Sequence, residues 1–87
     1  MNTIYKFPLK SQQAQVVYIY KGAKLLTAQV QEEKICIWAE VCTSQPMQEV
    51  EVAVVPTGGD VPVGFEYLDT CLVTAWAVLH VYTRRKP

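Results

Sequence analysis

Leu25-Leu26-Thr27-Ala28-Gln29-Val30-Gln31, Glu32-Glu33 and Lys34-Ile35-Cys36-Ile37-Trp38-Ala39-Glu40-Val41 together decide the fold of this chain. Apolar and polar side chains alternate through both runs, the period of a half-buried strand. A two-residue turn at Glu32-Glu33 sets Gln31 opposite Lys34, Gln29 opposite Cys36 and Thr27 opposite Trp38. Val30 then meets Ile35, Ala28 meets Ile37 and Leu26 meets Ala39. One face is wholly apolar and its reverse is mixed, as an antiparallel pair over a core requires. Glu-Glu is poor chemistry for such a turn, because positive φ favours Asn or Gly. The hydrophobic match sets this register. A following hairpin would place Val41, Ala39 and Ile37 opposite Val50, Val52 and Val54, with Glu49 and Glu51 outward beside Glu40 and Trp38.

The same period runs through the rest of the chain and predicts strands over 3–9, 14–20, 24–31, 34–43, 47–55, 65–73 and 75–83. No segment carries a cap followed by a helical apolar stripe. The expected fold is all-β, a compact antiparallel β-sandwich or partly open barrel of six to seven strands in one domain, 1–87. The last two runs join near Thr74. In the second of them Trp76, Val78, His80 and Tyr82 alternate with Ala77, Leu79 and Val81. Both faces are apolar enough for central strands or a subunit interface.

An 87-residue chain buries only about 60–65% of its unfolded surface, so self-association is the expected supplement to a small core. Eight basic and eight acidic side chains leave a net charge of zero, which speaks against a nucleic-acid partner, since phosphate contacts need a basic surplus. The charges are nevertheless segregated. Every acid lies between Glu32 and Asp69, whereas the tail ends Arg84-Arg85-Lys86. Basic ends of one copy meeting the acidic middle of another is one reading, and a solvated mixed surface is the other. With three cysteines, no export signal and no long apolar run, the expected location is a cytoplasm with reduced thiols and no membrane partner, which the resemblance described below implies to be that of a bacterial host.

Few constellations offer chemistry. Cys36 and Cys42 share a strand face about 20 Å apart, too far for one zinc. His80 is the only histidine. It could face Cys71 across the last hairpin, although a packed structural histidine is the simpler account. Glu49/Glu51 read as solvated carboxylates, and Asp60/Asp69 span the glycine-rich loop with nothing in the sequence to raise either pKa. Thr57-Gly58-Gly59-Asp60 could form an anion-binding nest but lacks the helix and lysine of a phosphate loop, so a flexible turn is the plainer reading. Trp38, beside Thr27, Gln29 and Cys36, fits the inside of a second layer, a protein interface or a platform for a base. No metal, cofactor or catalytic residue is expected.

Several motifs resemble those of a family of small uncharacterised phage and prophage proteins. They are Ile4-Tyr5-Lys6-Phe7, the run from Lys21 to Gln31 that opens Lys21-Gly22-Ala23-Lys24, and Cys36-Ile37-Trp38-Ala39. Thr57-Gly58-Gly59-Asp60-Val61-Pro62, Tyr67-Leu68-Asp69-Thr70 and His80-Val81-Tyr82 follow in the same order. Family members commonly carry histidine where Gly59 stands and glycine where Asp69 stands. The resemblance implies a non-enzymatic accessory protein, an inhibitor of host machinery with a counter-defence role. The alternative it implies is an oligomeric sponge for a nucleotide-type signalling molecule. In that alternative Lys21, Lys24, Gln29, Trp38 and the glycine loop of Thr57, Gly58 and Gly59 would hold phosphates and a base jointly. His80 is the remaining candidate binding residue.

Overall fold

Seven strands form, six within a residue or so of the bounds the alternation predicts and the last shifted toward the C-terminus. The computed structural model describes residues 1–11 and 13–86. In chain order the strands are β1 (Asn2–Pro8), β2 (Gln15–Tyr20), β3 (Lys24–Gln31), β4 (Lys34–Cys42), β5 (Met47–Pro56), β6 (Glu66–Leu72) and β7 (Val78–Arg85). Every pairing is antiparallel. The strands make two layers, β1-β4-β3 and β2-β5-β7-β6. They form a sandwich and do not close into a barrel, and no helix occurs among the described residues.

The β3–β4 hairpin has the expected register from Gln31↔Lys34 to Thr27↔Trp38 and then slips. Leu25, not Leu26, pairs with Ala39, and Leu26 bulges toward solvent. Of two adjacent leucines only one can follow the alternation inward, and Leu25 packs against both core clusters. The turn takes positive φ at Glu32 (51°) and Glu33 (68°) despite its composition. Left-handed backbone costs a side chain about 1 kcal/mol or more. Replacing the pair by an Asn-Gly dipeptide (Glu32→Asn with Glu33→Gly) is therefore expected to raise stability by about 1 kcal/mol, read as a higher urea midpoint. An unchanged or lower midpoint would contradict the strain.

The expected β4–β5 hairpin does not form. β4 is the centre of the smaller sheet, flanked by β1 and β3, and the chain crosses at 43–46 to the other layer, where β5 lies between β2 and β7. Ile37, Ala39 and Val41 do not stand beside Val54, Val52 and Val50 in one ladder. They meet residues of β5 across the layers instead. Ile37 and Val52 share one buried cluster, and Ala39, Val41 and Val50 share the other. An alternating pattern states which side chains are buried but not whether their partners lie in the same sheet or opposite it.

On the outer face of the larger sheet, Glu51 pairs with Arg84 at 2.8 Å and Glu49 with Lys86 at 3.1 Å. The Lys86 ammonium holds the Glu49 carboxyl below its ordinary pKa by hydrogen bond and charge. The acidic middle and basic tail are thus matched within one chain.

The edges β3 and β6 meet at one side of the sandwich. There Asp69 Oδ2 accepts the Ala28 N–H at 3.0 Å, and the Cys71 thiol donates to the Ala28 carbonyl at 3.2 Å. Two side chains of β6 thereby satisfy the backbone that a further strand would otherwise pair. The last hairpin also departs from expectation. Strand β7 begins at Val78, so Trp76 is not a strand residue. The Thr74 hydroxyl accepts the N–H groups of Trp76 and Ala77 at 3.2 and 3.1 Å, making residues 74–77 a turn. Ala75-Trp76-Ala77 runs without a break into the apolar start of β7 and reads as strand only for that reason.

Candidate functional site

His80 lies on the outer face of the larger sheet, in register with Val55 of β5 and Thr70 of β6. Its Nε2 is 2.9 Å from Thr57 Oγ1 and its Nδ1 is 3.0 Å from Thr70 Oγ1. Thr70 Oγ1 is in turn 2.6 Å from the Tyr67 hydroxyl. A neutral imidazole has one donor and one acceptor, so one threonine donates to the ring and the other accepts. Thr57 is set by a tight turn in which the Gly59 N–H donates to the Pro56 carbonyl at 2.9 Å. Gly58 has φ +89°, and a Cβ on Gly59 would meet Val55 Cγ1 at 3.0 Å. The two glycines are thus required by the turn that places Thr57 on His80.

Next to this network the 74–77 turn projects Trp76, which is 94% exposed. Trp76, Pro56, Thr57 and Val78 border a shallow hollow of about 450 Å³. Leu72, 69% exposed, pairs in register with Val78. Farther along, Tyr67 packs edge-on against Tyr82, their ring centres 5.6 Å apart. The result is a contiguous aromatic and aliphatic face, pinned at its centre by His80.

Cys71 and His80 do not form a dyad. Thr70, not Cys71, is opposite His80, so the imidazole points outward and the thiol into the core. The thiol is fully buried, and burial first, then the nearby Asp69 charge, pushes its pKa up. A nucleophile needs the reverse. Among the described residues no three His, Cys, Asp or Glu side chains gather as a metal site, and no helix is long and apolar enough to cross a membrane.

The model of a family described as a domain of unknown function, DUF7352, matches residues 1–87. The chain belongs to the DUF7352 family. No curated protein and no solved structure matches it.

In this DUF7352 domain the eight candidate binding residues separate into distinct places. Thr57, Gly58, Gly59 and His80 come together as described. Trp38 and Gln29 lie on the outer face of the smaller sheet, since Ile37 and Ala39 on the alternate positions are fully buried. Trp38 therefore does not line the inside of a second layer; it sits half-buried between Lys6 and Thr27. Gln29 donates its amide to Asp69 at 3.2 Å and to Thr27 at 3.3 Å, which commits it to the β3–β6 seam. Lys21 stands in the turn before β3, its N–H on the Pro46 carbonyl. Lys24 opens β3. The joint site of Lys21, Lys24, Gln29, Trp38 and the glycine loop does not assemble, because its members occupy the outer faces of two opposed sheets.

Two residues of consequence escape the sequence reading. Trp76 is hidden inside an apparent strand. Asp69 looks like one solvated acid among eight, yet it anchors the seam. Burial raises its pKa, but hydrogen bonds from the Thr27 hydroxyl (2.5 Å) and the Ala28 and Thr70 N–H groups, with the Gln29 amide, outweigh burial and leave it lowered.

Proposed function

We propose that this protein acts by non-catalytic binding of a protein partner through the face built on Trp76, Leu72 and the Thr57–His80 network. The observation that carries the reading is Trp76 itself. A tryptophan with 94% exposure on a hydrogen-bonded turn loses apolar hydration and little conformational entropy when a partner covers it. Large exposed apolar patches rimmed by polar groups mark interaction surfaces. The His80 geometry supports binding over turnover, since both ring nitrogens are held by threonine hydroxyls and the nearest thiol faces away. The motif order supports a phage or prophage accessory protein in a bacterial cytoplasm, with host machinery as the target and counter-defence as the role.

The protein, immobilised and challenged with host lysate, is expected to retain one defined partner whose affinity falls about tenfold or more with Trp76→Ala. Lys34→Glu, on the other sheet, should leave that affinity unchanged. Equal retention by Trp76→Ala, or a stable self-assembly that buries Trp76, would refute the reading.

A further inference from the structure

One side of the sandwich is closed and the other is open. Between β3 and β6, Asp69 and Cys71 take up the backbone groups of Ala28. On the far side β1 and β2 end their sheets with no strand beyond them. Strand β1 is the barer of the two. All of its residues except Phe7 are exposed. They include Thr3 and Tyr5, which stand opposite the fully buried Val41 and Ala39 and so belong to the face turned toward the other layer. A strand of a packed sheet ordinarily covers one of its faces.

The ladder dictates which backbone groups of β1 are unpaired. Leu9 donates its N–H to the Ile35 carbonyl at 2.9 Å, and the register with β4 is unbroken from Asn2↔Cys42 to Pro8↔Cys36. Alternation turns the N–H and C=O of Thr3, Tyr5 and Phe7 toward β4 and those of Asn2, Ile4 and Lys6 outward, with Pro8 offering only its carbonyl. Sheet edges are ordinarily guarded by charges, bulges or proline. Both β3 and β6 carry a register shift. Strand β1 has none, and its one charge is withdrawn. Lys6 Nζ donates to Gln31 at 2.7 Å and Asn2 Nδ2 to Glu40 at 2.9 Å, both back across the sheet. Ile4, 59% exposed, is left at the centre of the edge.

We propose that β1 pairs antiparallel with β1 of a second copy of this chain, about a two-fold axis at Ile4. The two smaller sheets then become one continuous sheet, β3-β4-β1-β1-β4-β3. The register that sets Ile4 against its counterpart pairs every outward N–H and C=O of Asn2, Ile4 and Lys6, about six bonds, without calling on Pro8. It sets each Lys6 opposite an Asn2 and keeps the two ammonium groups apart. Ile4 meets Ile4 on one face, and Thr3 meets Tyr5 on the other. The strand is thus complementary to itself in hydrogen bonding, charge and apolar contact, as a two-fold interface requires. A net charge of zero adds no long-range repulsion between copies. The neighbouring edge β2 is less open, since the Tyr5 ring packs edge-on at its Tyr20 end, 6.2 Å between ring centres. Trp76 lies on the turn between β6 and β7, at the closed side, so the dimer leaves the docking face free and is independent of the protein-docking role.

Sedimentation equilibrium and NMR-detected amide exchange on the full chain test it. The wild type is expected to sediment as two chains, with the Ile4 and Lys6 amides protected in the dimer and exchanging freely on dilution to the monomer. Ile4→Pro removes the N–H at the axis but no bond to β4, so it should keep the fold and weaken the dimer about tenfold or more. Tyr18→Lys, on β2, should leave the dimer intact. A wild type that is monomeric at NMR concentrations overturns the proposal. So does a wild-type dimer whose Ile4 and Lys6 amides exchange freely, a result that does not depend on whether Ile4→Pro folds. A dimer disrupted by Tyr18→Lys and not by Ile4→Pro overturns it equally.

Discussion

Asp69→Ala is expected to destabilise the protein by about 3 kcal/mol, through the seam and not through the core. The carboxylate accepts from the Thr27 hydroxyl, the Ala28 N–H and the Gln29 amide on β3, and from the Thr70 N–H on its own strand. Removing it leaves the Ala28 N–H at a half-closed edge without its acceptor and with no further strand to replace the bond. Asp69→Asn keeps one acceptor but turns an amide N–H toward donors, so roughly half the loss is expected. The pH dependence follows from the lowered folded-state pKa. Asp69 binds its proton more readily in the unfolded chain. Its stabilisation is thus complete above the ordinary carboxyl range of about pH 4 and is lost as pH falls through the lower folded value. Urea unfolding from neutral to acid pH should show the wild type losing stability over that window and Asp69→Asn losing less. Parallel pH profiles would contradict the assignment.

Ile37→Ala is expected to be at least as damaging, about 3–4 kcal/mol. Ile37 is fully buried at the centre of β4 and shares a cluster with Ala28, Ile35, Val52 and Val81 drawn from both sheets. An 87-residue domain has only about 4–13 kcal/mol of total stability, so the variant should melt some 15 °C or more below the wild type. A double-mutant cycle with Val52→Ala tests the layer arrangement, because the two side chains pack in one cluster. The expected coupling is about 0.5–1.5 kcal/mol. A coupling of zero would place Ile37 and Val52 apart.

Strand positions and burial were legible in the sequence because alternation is a local property of the chain. The apolar set Val30, Ala28, Ile35 and Ile37 could only face a core, and it does. Sheet membership was not legible. Val50 and Val52 satisfy Val41, Ala39 and Ile37 equally well beside them or across from them. The outcome is set by β1 and β2, which compete for the same edges. At the binding surfaces, Thr57 and His80 were legible as a loop and a lone histidine, but their union needed the β5–β7 register. Trp76 and Asp69 were illegible for opposite reasons: the turn at 74–77 imitates a strand, and a half-buried, hydrogen-bonded acid resembles a solvated one until its donors are seen.

The most direct test of the docking role is the dissociation constant of the captured partner, measured side by side for the wild type, Trp76→Ala and Lys34→Glu. We expect weakening of about tenfold or more for Trp76→Ala alone. Equal affinity in all three proteins, or a loss confined to Lys34→Glu, would contradict it.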